Sequence, residues 1–314
     1  MKELSVIITV LNEEENILPL IKATSEALQE LDYELIFVDD GSTDGTRAKI
    51  KELLSDRIIL IELKRNYGQS TAMAAGIDNA RGEYIALMDG DLQNDPTDIP
   101  MMLNKLKSED WDIVAGNRKN RKDGAVLRKL PSRIANTIIR RMTKVNIKDY
   151  GCTLKVFKYN IAADLGLHGE MHRFIPVIAS MQGALITQVD VKHHPRQFGK
   201  SKYGLGRTFR VMSDLVMLVF FRRYSQKPMH LFGTLGFVCL FVGIVINLYF
   251  LVLKFMGRDI WNRPLLILGM ILLFGGIQLI TIGILAHISM RTYYEASHKK
   301  DYKIRRIWNG TPQQ

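Results

Sequence analysis

Two stretches of this chain, Met229 to Leu253 and Leu265 to Met290, contain no Asp, Glu, Lys or Arg. Each exceeds the roughly 20 residues that a helix needs to cross about 30 Å of hydrocarbon, so both are expected to be transmembrane helices. Only KFMGRDIWNRP lies between them. The pair therefore forms a hairpin, and everything before and after it belongs on one side of the membrane.

The basic residues near the helix ends name that side. Arg222, Arg223 and Lys227 precede the first span, and Lys299, Lys300, Lys303, Arg305 and Arg306 follow the second. The connecting loop holds Lys254, Arg258 and Arg263, offset by Asp259. The balance predicts a cytoplasmic amino-terminal domain and tail. Cys239 lies inside a span and Cys152 in the soluble part, so no disulfide framework is expected. The opening MKELSVIITVLNEEEN has an apolar run broken by Asn and Glu, which does not read as a cleavable signal peptide.

The formal charge of +11 raises nucleic-acid binding as a use for the basic residues. Their position beside membrane spans and in loops favours anionic headgroups and phosphate-bearing substrates instead. No nucleic-acid partner is expected.

Ahead of the spans, apolar runs alternate with helical patterns. Leu4 to Leu11, Tyr33 to Val38, Ile58 to Leu63 and Tyr84 to Met88 read as buried strands. Helices are expected over about 16–31, 46–54, 71–80 and 97–108, with a further strand at Asp112 to Ala115. This order predicts an α/β fold with a doubly wound, mostly parallel sheet. Later, DYGCTLKVF from Asp149 and Ile186 to Val191 read as strands.

The fourth strand ends in YIALMDGDLQNDP, which sets Asp89 and Asp91 one residue apart at a strand terminus. Open α/β sheets bind ligands at that edge. Two carboxylates with the Gln93 amide oxygen nearby form a hard oxygen set suited to Mg²⁺ or Mn²⁺ carrying a diphosphate. Taken alone, the motif is more often a strand end followed by a turn than a metal site.

Other features admit two readings. Arg118 to Lys129 is a basic surface loop, either a solvated charge run or an anion clamp. His168 and His172 flank Glu170, but a zinc-protease motif needs Glu directly after the first His, so a structural or substrate-facing role is expected. Thr208 to Phe221 combines an apolar face with Arg207, Arg210, Arg222 and Arg223, as an interfacial helix does, or an ordinary core helix. Gly236 and Gly243 in the first span, and Gly269, Gly276 and Gly283 in the second, recur every seven residues. Such stripes bring backbones close, within the hairpin or between subunits of a homo-oligomer.

TVLNEEEN, VDDGSTDGT, RNYGQSTAMAAG, MDGDLQNDP, GNR, RKLPSR, DYGCTLKVF, EMHRF and RQFGKSKY occur in this order across nearly the whole chain. The ordered set resembles the family-2 glycosyltransferases of A-type fold, within them the polyprenyl-phosphate glycosyltransferases such as dolichyl-phosphate mannose synthase. The resemblance implies a nucleotide-sugar donor, a polyprenyl-phosphate acceptor (undecaprenyl or dolichyl), a Mg²⁺ or Mn²⁺ cofactor and inversion at the anomeric carbon. It assigns Thr9, Leu11, Glu13, Val38 and Asp40 to the nucleoside, and Asp89, Asp91 and Gln93 to metal and diphosphate. Thr9 and Leu11 replace the usual Pro and Tyr of the first turn. Arg118, Arg133, Arg196, Ser201 and Lys202 match positions near the acceptor phosphate or leaving diphosphate. Asp149 would orient the acceptor or cap a turn.

The implied organisation is a cytoplasmic glycosyltransferase domain at 1–203, a juxtamembrane amphipathic helix at 204–228, a hairpin at 229–290 and a basic tail at 291–314. UDP is the first choice of donor nucleotide and GDP the second. The absence of Gln-x-x-Arg-Trp argues against a processive polysaccharide synthase. A membrane-anchored nucleotide-binding scaffold without turnover is the alternative from another class.

Overall fold

The computed structural model describes residues 2–118, 145, 147–167, 169, 171–196, 198, 228–260, 263–296 and 300–310. Arg133, Ser201, Lys202, His168, most of the basic loop and nearly all of the expected interfacial helix lie outside them. The chain divides into two compact units, one of residues 1–215 with 300–314 and one of residues 216–299.

In the first unit, β1 (Lys2–Val10), β2 (Tyr33–Asp39), β3 (Ile58–Leu63) and β4 (Gly82–Asp89) alternate with α1 (Glu14–Ala27), α2 (Thr46–Glu52) and α3 (Gln69–Ile77). Then come α4 (Asp98–Ser108), β5 (Ile113–Arg118), β6 (Lys155–Lys158), α5 (Tyr159–Ala163), a 3₁₀ turn (Met171–Phe174), α6 (Ile175–Met181) and β7 (Ile186–Val191). The eight-stranded sheet includes a last strand, β8 (Ile304–Trp308), in the order β7-β5-β6-β4-β1-β2-β3-β8. β1 pairs in parallel with both β2 and β4, so the strand order reverses beside β1. That reversal opens the crevice in which such sheets bind ligands.

Helices cover both faces, which is why the strands are apolar almost throughout. Val6, Ile8, Phe37, Met88 and Val156 pack on one side with Ile17, Leu20 and Met102. Ile7, Ile36, Leu87 and Phe157 pack on the other with Met73, Ala75 and Ile175.

Three features depart from the sequence expectation. Residues 149–154 form a turn, and only Lys155–Lys158 is strand, antiparallel to both β4 and β5. Asp149 bonds its own turn and Gly151 follows, which favours a turn over an extended ladder. α1 begins two residues earlier than expected and ends at Ala27. The tail after the second apolar helix contributes β8, antiparallel to β3, with Tyr302 Oη donating to Asp78 Oδ2 at 2.6 Å.

The second unit holds two long helices, α7 (Pro228–Phe255) and α8 (Pro264–Ala296). Phe232–Phe255 and Pro264–Ala286 are long and apolar enough to cross a membrane. The glycine stripes meet inside this hairpin. A Cβ on Gly236 would lie 2.8 Å from the Gly276 carbonyl oxygen, and one on Gly243 would lie 2.7 Å from the Leu273 amide nitrogen.

Candidate active site

The site is assembled at the carboxyl ends of β1, β2 and β4. Thr9 sits in register with Val38 on one side and Asp89 on the other, so three of the expected residues are neighbours. Val38 is fully buried in the core, main chain included, so it supports the site from beneath and presents no surface to a nucleoside, contrary to the expectation from the sequence. The turns after β1 and β2 interlock. The backbone N–H of Asn12 donates to Ser42 Oγ, that of Thr43 to Asn12 Oδ1, and that of Glu13 to Thr46 Oγ1. Asn12 and Leu92, in the turns after β1 and β4, both have left-handed backbones, at φ 51° and 59°. A left-handed leucine is strained and is found where surrounding structure holds a turn open for a purpose.

The two adjacent aspartates of VDDGSTDGT divide their work. Asp39 is buried, accepts the N–H groups of Gly41 and Ser42, and pairs with Arg47 at 2.5 Å. Asp40 accepts the N–H of Tyr67 at 2.7 Å and of Gly68 at 2.9 Å, tying β2 to the turn before α3. Burial lifts the Asp40 carboxyl to about 6, against those two bonds.

Asp89 and Asp91 are each held by other elements. Gln69, the first residue of α3, donates Nε2 to Asp89 Oδ1 at 2.6 Å, and the Asp89 N–H donates to Asn94 Oδ1. Asp91 Oδ1 accepts the Gln93 N–H at 3.1 Å. Its Oδ2 accepts from Arg196 Nη2 at 2.6 Å, and Arg196 Nη1 lies 3.8 Å from Glu13 Oε1. Burial, then the charge of Asp89, raises Asp91 to about 6, with Arg196 opposing.

Arg196 arrives on the segment after β7, which is laced to the turn after β4. The His194 N–H donates to the Gln93 carbonyl, the Lys192 N–H to Asp98 Oδ2, and His194 Nε2 lies 3.0 Å from Asp95 Oδ2. Burial opposes it, but hydrogen bonds from Thr97 and His194 bring Asp95 down to about 2.

A second cation flanks the site at the end of β5. Arg118 forks onto Asp149, Nε to Oδ2 at 2.6 Å and Nη2 to Oδ1 at 3.0 Å. Burial works to lower the Arg118 pKa, yet the hydrogen bond and charge of Asp149 carry it above the usual arginine value. Ser70 Oγ, in the first turn of α3, lies 2.9 Å from His172 Nδ1 and accepts the His172 N–H.

The structure thus brings Thr9, Val38, Asp40, Glu13, Asp89, Asp91, Gln93 and Arg196 to one edge, with Arg118 and Asp149 paired beside it. Gln69 and Lys155, the latter a buried lysine on β6, escaped sequence reasoning. An amide at a helix start and a lysine at a strand end carry no motif. A cleft of about 510 Å³ between 80–84 and 158–160 lies at the other end of β4, away from the aspartates.

Residues 5–166 match the Glycosyl transferase family 2 profile. The chain is 45% identical over 319 aligned residues to the dodecaprenyl-phosphate galacturonate synthase of Rhizobium johnstonii, across 99% of this chain and 94% of that protein. It is 32% identical over 314 residues to the undecaprenyl-phosphate 4-deoxy-4-formamido-L-arabinose transferase of Photorhabdus laumondii, across 98% and 94%. Among solved structures, glucosyl-3-phosphoglycerate synthase of Mycobacterium tuberculosis, in complex with Mn²⁺, UDP and glucosyl-3-phosphoglycerate, superposes with a TM-score of 0.53 at 16% identity. That superposition covers 70% of this chain and 80% of the other, and it shows a shared fold.

Proposed function

The chain belongs to glycosyl transferase family 2, and from that premise we propose that it transfers a sugar from a nucleotide-sugar to a membrane polyprenyl phosphate. The observation that carries this reading is the carboxylate pair Asp89 and Asp91 at the strand-order reversal, flanked by the guanidinium groups of Arg196 and Arg118. Anionic phosphates need both: an oxygen-lined cation site for the donor diphosphate and forked cations for an acceptor phosphate.

The donor set fits a hard divalent ion. Among the described residues no cluster of three His, Cys, Asp or Glu surrounds it, and Mg²⁺ that carries a diphosphate takes one or two carboxylates with the rest from phosphate and water. Asp89 and Asp91 would hold Mg²⁺ or Mn²⁺, with Gln93 as the third residue. When bound, such an ion supplies positive charge against the departing diphosphate.

The remaining steps belong to side chains. Thr9, Leu11, Glu13 and Asp40 line the nucleoside position, with Val38 buried beneath it. Arg118 receives the acceptor phosphate, and Arg196, Arg133, Ser201 and Lys202 serve the acceptor phosphate or the leaving diphosphate. A phosphate monoester has its second pKa near 6, so its oxygen is already largely ionised at neutral pH and needs no strong general base. Attack from the side opposite the diphosphate inverts the anomeric centre.

Residues before and after the hairpin belong to one sheet through β3 and β8, which supports both hairpin ends lying on one side of the membrane. The basic residues flanking the spans make that side cytoplasmic. On this reading the chain divides into a catalytic domain at 1–203, a juxtamembrane amphipathic helix at 204–228, a hairpin at 229–290 and a tail at 291–314 whose β8 joins the catalytic sheet. The favoured donor sugar is a uronic acid, because the 45%-identical relative is a galacturonate synthase. UDP is favoured over GDP.

The test incubates the purified full chain and Mg²⁺ or Mn²⁺ with UDP- and GDP-sugars, UDP-galacturonic acid among them, and undecaprenyl or dolichyl phosphate. Mass spectrometry then looks for a lipid-linked sugar. One product with one donor is expected. Nucleotide binding without lipid product across the panel overturns the reading in favour of a nucleotide-binding scaffold.

A further inference from the structure

Lys155 is 1% exposed, at the start of β6 and in register with Leu87 of β4 and Ala115 of β5. Side chains alternate along strands, so Lys155 shares its face of the sheet with Leu87 and, two residues further along β4, with Asp89. Its Nζ donates to the carbonyl oxygen of Cys152. Burial pushes its pKa down, against the nearby carboxylates of Asp149 and Asp89.

That carbonyl closes the turn whose first residue holds Arg118. Asp149 Oδ1 accepts the Gly151 N–H at 3.1 Å, and both Asp149 oxygens receive the Arg118 fork. The turn is tight against the guanidinium, since a Cβ on Gly151 would lie 3.0 Å from Arg118 Nη2. A buried ammonium is a poor device for stability alone, because an apolar side chain of similar volume often does as well or better.

We infer that Lys155 is a positioning residue for transfer: its buried ammonium pins the Asp149–Cys152 turn from below and so sets the Arg118 guanidinium where the acceptor phosphate binds. This rests on the functional reading above. It makes Lys155 a determinant of acceptor engagement while leaving the nucleotide side of the site, on β1 and β2, untouched.

The experiment compares wild type and Lys155→Met in steady-state transfer, with the donor and the polyprenyl phosphate varied separately, alongside thermal unfolding and UDP binding. The acceptor KM is expected to rise on the order of 10-fold, the cost of a misplaced binding group, with the donor KM and UDP affinity within about twofold. Lys155→Arg, which keeps charge and donor, should fall between the two, and serves if the Met variant does not fold. In an Asp149→Asn background, Lys155→Met should add no further effect, because both act through Arg118. An unchanged acceptor KM, a parallel rise in both KM values, or additivity with Asp149→Asn overturns the inference alone. A wild-type protein that makes no lipid product overturns the functional reading and this inference with it.

Discussion

Nη2 of Arg196 donates to Oδ2 of Asp91 at 2.6 Å, joining residues 105 positions apart in the chain. The same guanidinium lies 3.8 Å from Glu13, so one cation spans the turns after β1 and β4. On the proposed function, Arg196 stands where donor diphosphate and acceptor phosphate meet. Arg196→Gln should lower kcat/KM for transfer on the order of 100-fold, the usual cost of losing an aimed donor. Arg196→Lys should recover little, because an ammonium cannot fork between two anionic partners. Initial rates at saturating donor measure this, and variants within about twofold of wild type contradict it.

Gln69 fixes Asp89 from the start of α3 through a 2.6 Å hydrogen bond. Groups that orient a metal-binding carboxylate typically contribute about 10- to 100-fold in affinity or activity. Gln69→Ala should thus weaken Mn²⁺ binding on the order of 10-fold, read by electron paramagnetic resonance without lipid, with thermal stability little altered. Undiminished Mn²⁺ affinity would remove Gln69 from the site.

Asp40 makes stability depend on pH in a definite direction. Burial raises its carboxyl from 3.8 to about 6, so between those values the unfolded chain releases this proton while the folded chain keeps it. The folded state then binds more protons, and the Asp40 contribution to stability falls as pH rises from about 4 to about 6 and is level above. Asp40→Asn should flatten that part of the profile. Thermal unfolding of both proteins across this range in detergent measures the slope, and parallel profiles would contradict the assignment.

The glycine contacts in the hairpin predict a local effect. A side chain on Gly243 meets the Leu273 backbone, and one on Gly276 meets the Gly236 carbonyl and the Leu240 amide nitrogen. Close backbone approach is what such stripes supply between membrane helices. Gly243→Leu or Gly276→Leu should loosen α7 from α8, seen as lower thermal stability in detergent, while UDP affinity stays at the wild-type value. Unchanged stability would contradict intrahelical-hairpin packing of the stripe.

The carboxylate pair, the acidic turn after β2 and the alternation of strands with helices were legible because each depends on local chemistry, apolar runs ending in Asp and Gly, whereas the strand order is set by tertiary packing. Asp149 was legible as a residue but not as the partner of Arg118, since pairing across a loop is set by tertiary packing. Nothing in IRRIW signals that it is an edge strand on β3, because its two adjacent arginines break the period-two pattern of a half-buried strand and resemble any basic tail. The heptad of glycines gave the face but not the partner, and only the packed helices show that the stripe is used inside the hairpin. Lys155 was invisible for a different reason. Its environment is made by β4 and β5 as much as by the turn before it, and neither strand is encoded beside it in the chain.

The most direct test of the account is turnover by Asp89→Asn and Asp91→Asn beside wild type, with the donor that the panel identifies, polyprenyl phosphate and Mn²⁺, scored as lipid-linked sugar by mass spectrometry. Wild type should form the product. Each variant should form almost none while unfolding at the wild-type temperature. An Asn variant that folds normally and keeps substantial transfer would show that the aspartate pair at the end of β4 is not the centre of the reaction.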